Sequence, residues 1–227
     1  MKSGAVPAPG CSCPASLYTS RNRANERCAS STSTISMATP AEAETAAAPP
    51  SNVTVSVASV NGSGCPAGTA SVSMSSDKTA FKVTYTKYLA ETGANTDVTS
   101  MRKNCMIILQ INVPQGVSFT ISQAEYNGTA HLETGATAIQ AANYYFQGES
   151  ESTMIEHTFT GAMDGAWRSA DIAASAIYAP CNASRNLNIN TSLRAVQGSS
   201  NSSARSWISM SSTNGNVWTQ YNLSWKN

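Results

Sequence analysis

The chain has 227 residues, a formal charge of +1, 12% charged residues and 41% hydrophobic ones. That length is near the upper limit for one core, and all-β sandwiches reach it as single domains. The near-neutral balance, with no basic run longer than Arg102-Lys103, gives no electrostatic footprint for nucleic acid, and no window approaches the roughly 20 apolar residues of a membrane span.

Residues 1–50 are rich in Ala, Ser, Thr, Pro and Arg, and the stretch 29–50 is low-complexity. Such a composition cannot bury a core, so 1–50 reads as a disordered segment ahead of a β domain over 51–227. The start Met1-Lys2-Ser3-Gly4 opens no apolar stretch of signal-peptide type, so secretion would need a leader not visible in this chain.

From Val53 the texture changes to short alternating runs. Val53–Val57 alternates, as does Phe81–Tyr85, with Lys82 and Thr84 on the polar side. Ile107, Leu109, Ile111 and Val113 share a face, followed by Val117, Phe119 and Ile121. Leu187, Ile189 and Leu193 continue the pattern, then Val217, Tyr221, Leu223 and Trp225. Period-two spacing means half-buried strands. Asn61-Gly62, Asn127-Gly128 and Asn214-Gly215 read as hairpin dipeptides, and Pro114-Gln115-Gly116 and Asp164-Gly165 as further turns. Only 169–178 is ambiguous between helix and strand. The expectation is an all-β, two-sheet antiparallel sandwich of roughly ten to twelve strands.

Six cysteines stand at positions 11, 13, 28, 65, 105 and 181. An even count suits disulfides in an oxidising compartment, and buried free thiols are the alternative. Cys11-Ser12-Cys13 has no second pair and no nearby His, so no zinc site is expected. Sequons begin at Asn52, Asn61, Asn127, Asn182, Asn190, Asn201 and Asn222. Chance alone gives about four or five in so Ser/Thr-rich a chain, which makes them mild support for a glycoprotein.

Catalytic signals are sparse. His131 lies near Glu133, and His157 follows Glu156, but no metal motif, nucleophile elbow or cofactor motif accompanies them. Neither metal nor cofactor is expected, and each His reads as an exposed strand residue. Glu149 and Glu151 read as a polar loop. Tyr144, Tyr145 and Phe146 are consecutive, so Tyr145 should face away from the other two. Tyr144, Tyr145 and Trp167 are candidates for stacking on sugar rings. The competing reading places these aromatics, like Trp207, Trp218 and Trp225, in the core.

Several segments together resemble a known family. They are Asn61–Gly68, Asp77–Phe81, Arg102-Lys103-Asn104-Cys105, Val113–Gly116, Tyr144–Gly148, Pro180-Cys181 and Arg185–Thr191. Their order and spacing are similar to the secreted family of domain of unknown function 4360, over about 52–226. The resemblance implies a secreted, cysteine-bearing β domain with no assigned catalytic residue. Members often end in a Trp, a basic residue and then a cysteine, whereas Trp225-Lys226-Asn227 carries none, which leaves the partner of Cys65 open. Because Cys105 and Cys181 both lie in the family-like segments and at strand boundaries, they are expected to form a disulfide.

The resulting expectation is an extracellular, noncatalytic binding or cell-surface module, with a cell-wall glycan as the guessed partner. The alternatives are a structural, self-associating secreted protein and an enzyme that uses His131 or His157 with a carboxylate.

Overall fold

The alternating runs do become strands, because each strand has one face to bury. The computed structural model describes residues 48, 50, 52–172, 178–179, 185–211 and 217–226. Apart from Ala48 and Pro50, the segment expected to be disordered lies outside them. Twelve strands are present among the described residues. In chain order they are β1 (Thr54–Asn61), β2 (Ala70–Met74), β3 (Ala80–Tyr85), β4 (Leu89–Gly93), β5 (Arg102–Asn112), β6 (Ser118–Leu132), β7 (Thr137–Phe146), β8 (Thr153–Thr160), β9 (Met163–Ile172), β10 (Asn186–Val196), β11 (Arg205–Ser209) and β12 (Thr219–Lys226).

They form two antiparallel sheets. The five-stranded sheet runs β1-β5-β10-β7-β8. The seven-stranded one runs β2-β3-β12-β6-β11-β4, with β9 also paired to β6. Strand β6 organises the second sheet. β9 pairs with Gln123–Leu132, while β12 takes Ser118–Tyr126 and β11 takes Thr129–His131. Since β9 overlaps both of these stretches, β12 and β11 must follow one another along the opposite edge of β6.

Between the sheets, Ile107, Leu109 and Ile111 of β5 and Leu187, Ile189 and Leu193 of β10 meet Phe81, Val83, Phe119, Tyr126, Tyr221 and Leu223 in one buried cluster. Rings interlock there. Phe81 stacks on Tyr221 at 4.7 Å, and Phe119 meets Phe146 edge-on at 5.4 Å. A bulge opposite the Asn222/Leu223 step shifts the register of β6. The inward parity of Phe119 and Ile121 therefore passes to Ala124 and Tyr126.

Two predicted turns are not turns. Asn127-Gly128 lies inside β6, where a Cβ on Gly128 would stand 2.0 Å from the Ser209 carbonyl oxygen. Close approach of a neighbouring backbone, not chain reversal, requires that glycine. Asp164-Gly165 lies within β9, and the reversal falls earlier, between Thr160 and Met163. Pro114–Val117 is a turn, closed by the Val117 N–H to the Pro114 carbonyl at 3.2 Å. Asn214-Gly215 falls outside the described residues.

The expected Cys105–Cys181 bridge is corrected. Cys65 bonds to Cys105, with their Cα atoms 5.4 Å apart, and Cys181 lies outside the described residues. The cause is strand pairing. β1 runs antiparallel to β5 with Asn61 opposite Met106, so the chain leaving β1 is delivered to Asn104 and Cys105. There it wraps Asn104. The Gly64 N–H donates to the Asn104 carbonyl at 2.8 Å, and the Asn104 N–H donates to Ser63 Oγ at 3.1 Å. Gly62, at φ +141, lies against the same carbonyl, where any Cβ would clash at 2.2 Å.

Candidate functional site

Alternation on the five-stranded sheet turns Leu187, Ile189, Ile107 and Cys105 inward and leaves most of its asparagines outside, while Gln140 of β7 is buried on the inner side. In β10, Leu187 and Ile189 face the core, while Asn186, Asn188 and Asn190 alternate to the other side, Asn186 and Asn190 half-buried and Asn188 buried among its neighbours. Pairing aligns these outward residues into rows. One row runs Asn61, Met106, Asn190, Asn143 and Met154 across β1, β5, β10, β7 and β8. The next runs Ser59, Ile108, Asn188 and Tyr145. Gln110 stands opposite Asn186. On the other side lie Asn104, Ser192, Ala141 and Glu156, and then Arg102 and Arg194 face each other.

No described element packs over this face. Met154 is 65% exposed at its margin. Some amides are already engaged, since Asn186 Nδ2 donates to Gln147 Oε1 at 2.9 Å and Asn112 Nδ2 to Thr54 Oγ1 at 3.2 Å. In the centre, Asn143 Oδ1 is shielded from solvent and has no hydrogen-bond partner. No ring or cation stacks on Tyr145 among the described residues. The arrangement offers planar amides beside an aromatic ring and thioethers, a surface suited to hydroxyl-rich ligands with apolar patches.

Of the three aromatics expected to stack on sugars, only Tyr145 lies on this face. Tyr144 and Trp167 are corrected to interior residues, because β7 and β9 turn both into the core. From sequence, Asn186 and Asn188 carry no site role and Asn190 only that of a sequon, although the spacing Asn186, Asn188, Asn190 is itself a period-two signal.

His157 and Asp171 meet inside the open edge between β8 and β9. His157 Nε2 lies 2.6 Å from Asp171 Oδ1, and the Tyr144 hydroxyl donates to Asp171 Oδ2 at 2.5 Å. Tyr126 and Tyr144 share a further hydroxyl contact. Burial raises the pKa of both tyrosines, and the nearby carboxylate adds to it. The carboxylate, 3% exposed, thus draws on tyrosine and imidazole for its bonds. Beside it lies a cavity of about 30 Å³, lined by Tyr144, Ile155 and Leu187 among others, which has room for a water-sized guest and no more.

On the outer face of the seven-stranded sheet, His131 bridges Glu133 at 3.2 Å and Asp164 at 3.3 Å and stacks on Trp207. Its pKa is raised, first by the hydrogen bond to Asp164 and then by that to Glu133. A depression of about 250 Å³ lies beside Trp218, Glu125 and Arg168, but Lys82 sits 4.5 Å over the Trp218 ring. Among the described residues no group of three or more His, Cys, Asp or Glu side chains could hold a metal ion, and no helix is long and apolar enough to cross a membrane.

Of the sequons, Asn52, Asn61 and Asn201 are exposed, while Asn127, Asn190 and Asn222 are partly buried within strands. Asn182 lies outside the described residues.

Four family-like segments converge on the five-stranded sheet: Asn61–Cys65, Arg102–Cys105, Tyr144–Gly148 and Asn186–Asn190 are neighbours through β1, β5, β7 and β10. A family model described as a domain of unknown function (DUF4360) matches residues 51–227. The chain belongs to this family. A relative from Arthroderma benhamiae (strain ATCC MYA-4681 / CBS 112371), described as an uncharacterized secreted protein, is 33% identical over 147 residues. The match covers 64% of this chain and 60% of the relative, so the chain spans less than two thirds of that protein's length. In this DUF4360 domain, Asp77–Thr79 lies in the turn between β2 and β3, with Ala80 and Phe81 opening β3, and the Asp77 carboxylate accepts bonds from Ser75 and Thr79. Those bonds lower its pKa to about 2.

Proposed function

We propose that this protein is a secreted, noncatalytic binding module whose ligand, a cell-wall glycan, lies across the outer face of the five-stranded sheet. The observation that carries the reading is the pair of aligned outward rows that brings Asn190 and Asn143 beside Tyr145, with Asn188, only 6% exposed, packed between them. Amides can both donate to and accept from sugar hydroxyls, and Tyr145 offers a ring face to the apolar side of a pyranose. Secretion is supported by the relative's description. The noncatalytic reading is favoured because His157, the interior histidine that meets a carboxylate, joins a tyrosine-lined network that satisfies Asp171. The test is affinity electrophoresis of the full chain through gels containing soluble polysaccharides, with pull-downs on insoluble cellulose, chitin and β-glucan. At least one should retard or retain the protein, and Tyr145→Ala should abolish the effect without changing the fold. Wild-type mobility in every gel and no retention on any solid would refute the proposal.

A further inference from the structure

At the far end of the same face, Arg102 of β5 stands directly opposite Arg194 of β10. Both are exposed, and neither has an ion-pair partner among the described residues. Like charges directly opposite each other on paired strands repel and destabilise the ladder, so the pair costs the free protein something that a ligand could return. On the grid the nearest acid is Glu156, one row on and two strands away, aligned with Ala141 and Ser192. Asn104 and Ser192 form the adjacent row and supply neutral donors about 7 Å along the strands. Two guanidinium forks side by side suit planar carboxylates, each of which can accept two N–H bonds from one fork.

We infer that the ligand of this face is an acidic polysaccharide, with carboxylates on its sugar rings bound by Arg102 and Arg194 while the rest of the chain runs over the amide rows. This rests on the binding reading above and deepens it by naming the ligand's charge. From Arg102 to Ile108, in the Tyr145 row, is six residues of strand, or about 20 Å. That is a run for an extended polymer rather than for one small anion. The chain's net charge of only +1 favours a sparse, sugar-borne charge over a densely charged phosphate backbone.

Polygalacturonate and its fully methyl-esterified form share one backbone and differ in charge, so the pair isolates the inference. With the full chain, binding to polygalacturonate should be at least tenfold tighter than to the ester, and should weaken as salt rises from 50 to 500 mM. Arg102→Ser/Arg194→Ser should erase that preference and leave weak binding to the ester unchanged, whereas Tyr145→Ala should weaken both. Equal affinity for the two polymers, or undiminished preference in the double variant, would overturn the inference and leave the binding reading intact. No binding to either polymer overturns the acidic-ligand inference, and a neutral glycan that still binds keeps the face as a binding site. Equal or tighter capture of duplex DNA would also overturn it, by showing a general polyanion site. In the ligand-free protein Arg194→Ser should raise the thermal midpoint by a degree or two, and a lowered midpoint would show that the pair carries no repulsion to relieve.

Discussion

The outer faces of the two sheets are built from similar strands, yet they spend their polar groups differently. On the seven-stranded sheet the functional-looking side chains are occupied. His131 lies between Glu133 and Asp164, Lys82 covers Trp218, Arg205 pairs with Glu91, and Gln220 bonds to Asn222. On the five-stranded sheet no ring or cation among the described residues stacks on the half-buried Tyr145, Asn143 Oδ1 lacks a partner, and Arg102 and Arg194 face each other unneutralised. A polar group already satisfied within the protein gains little from a ligand; one left unsatisfied gains much. The presence of Trp, His and acids is therefore a poorer guide to a binding surface than whether those groups are already partnered.

The comparison can be tested through stability, starting with the largest effect. The Cys65–Cys105 bridge anchors the Asn104 corner of the five-stranded face and closes a 40-residue separation. Replacing both cysteines with alanine should cost about 4 kcal/mol in the chain-entropy account, measured by urea unfolding. A loss below about 1 kcal/mol would show that strand pairing alone holds that corner. Next, Asp171→Ala strips the Tyr144 hydroxyl and His157 of their shared acceptor beneath both faces. A loss of about 3 kcal/mol is expected, with any glycan binding retained by the folded fraction.

The smallest effect belongs to the satisfied face. The raised pKa of His131 means that its protonated form is preferred in the folded state. Its contribution is complete below the ordinary value of 6.5 and disappears as pH climbs through the folded value. Unfolding of His131→Gln compared with wild type should show a deficit of about 0.5 kcal/mol at pH 5.5 that closes by pH 8.5. The imidazole is 38% exposed, which keeps the effect small, and a deficit that grows with pH would contradict the assignment.

The sandwich was legible in the sequence because burying one face imposes period two, visible at Phe81–Tyr85, Ile107–Ile111 and Leu187–Leu193. Features set by residues distant in sequence were not legible. The β6 bulge depends on where β12 lies, Gly128 answers to the Ser209 backbone, and Cys65 finds Cys105 because β1 pairs with β5. Local turn chemistry thus misplaced a hairpin at Asn127-Gly128, and strand-boundary reasoning chose the wrong cysteine. Of the candidate site, the outward orientation of Tyr145 followed from alternation alone. That Asn143, Asn188 and Asn190 join it needed the order of three strands, which pattern within one segment does not contain.

The central claim is that the five-stranded face binds and the seven-stranded face does not. The most direct measurement is side-by-side affinity electrophoresis of Tyr145→Ala/Asn190→Ala and Trp218→Ala/His131→Gln against whichever polysaccharide retards the wild type, with thermal midpoints recorded for both. The account predicts that the first variant loses retardation and keeps its midpoint within a degree or two, while the second stays retarded. Loss of retardation in the second variant alone would place the site on the other sheet and contradict the account.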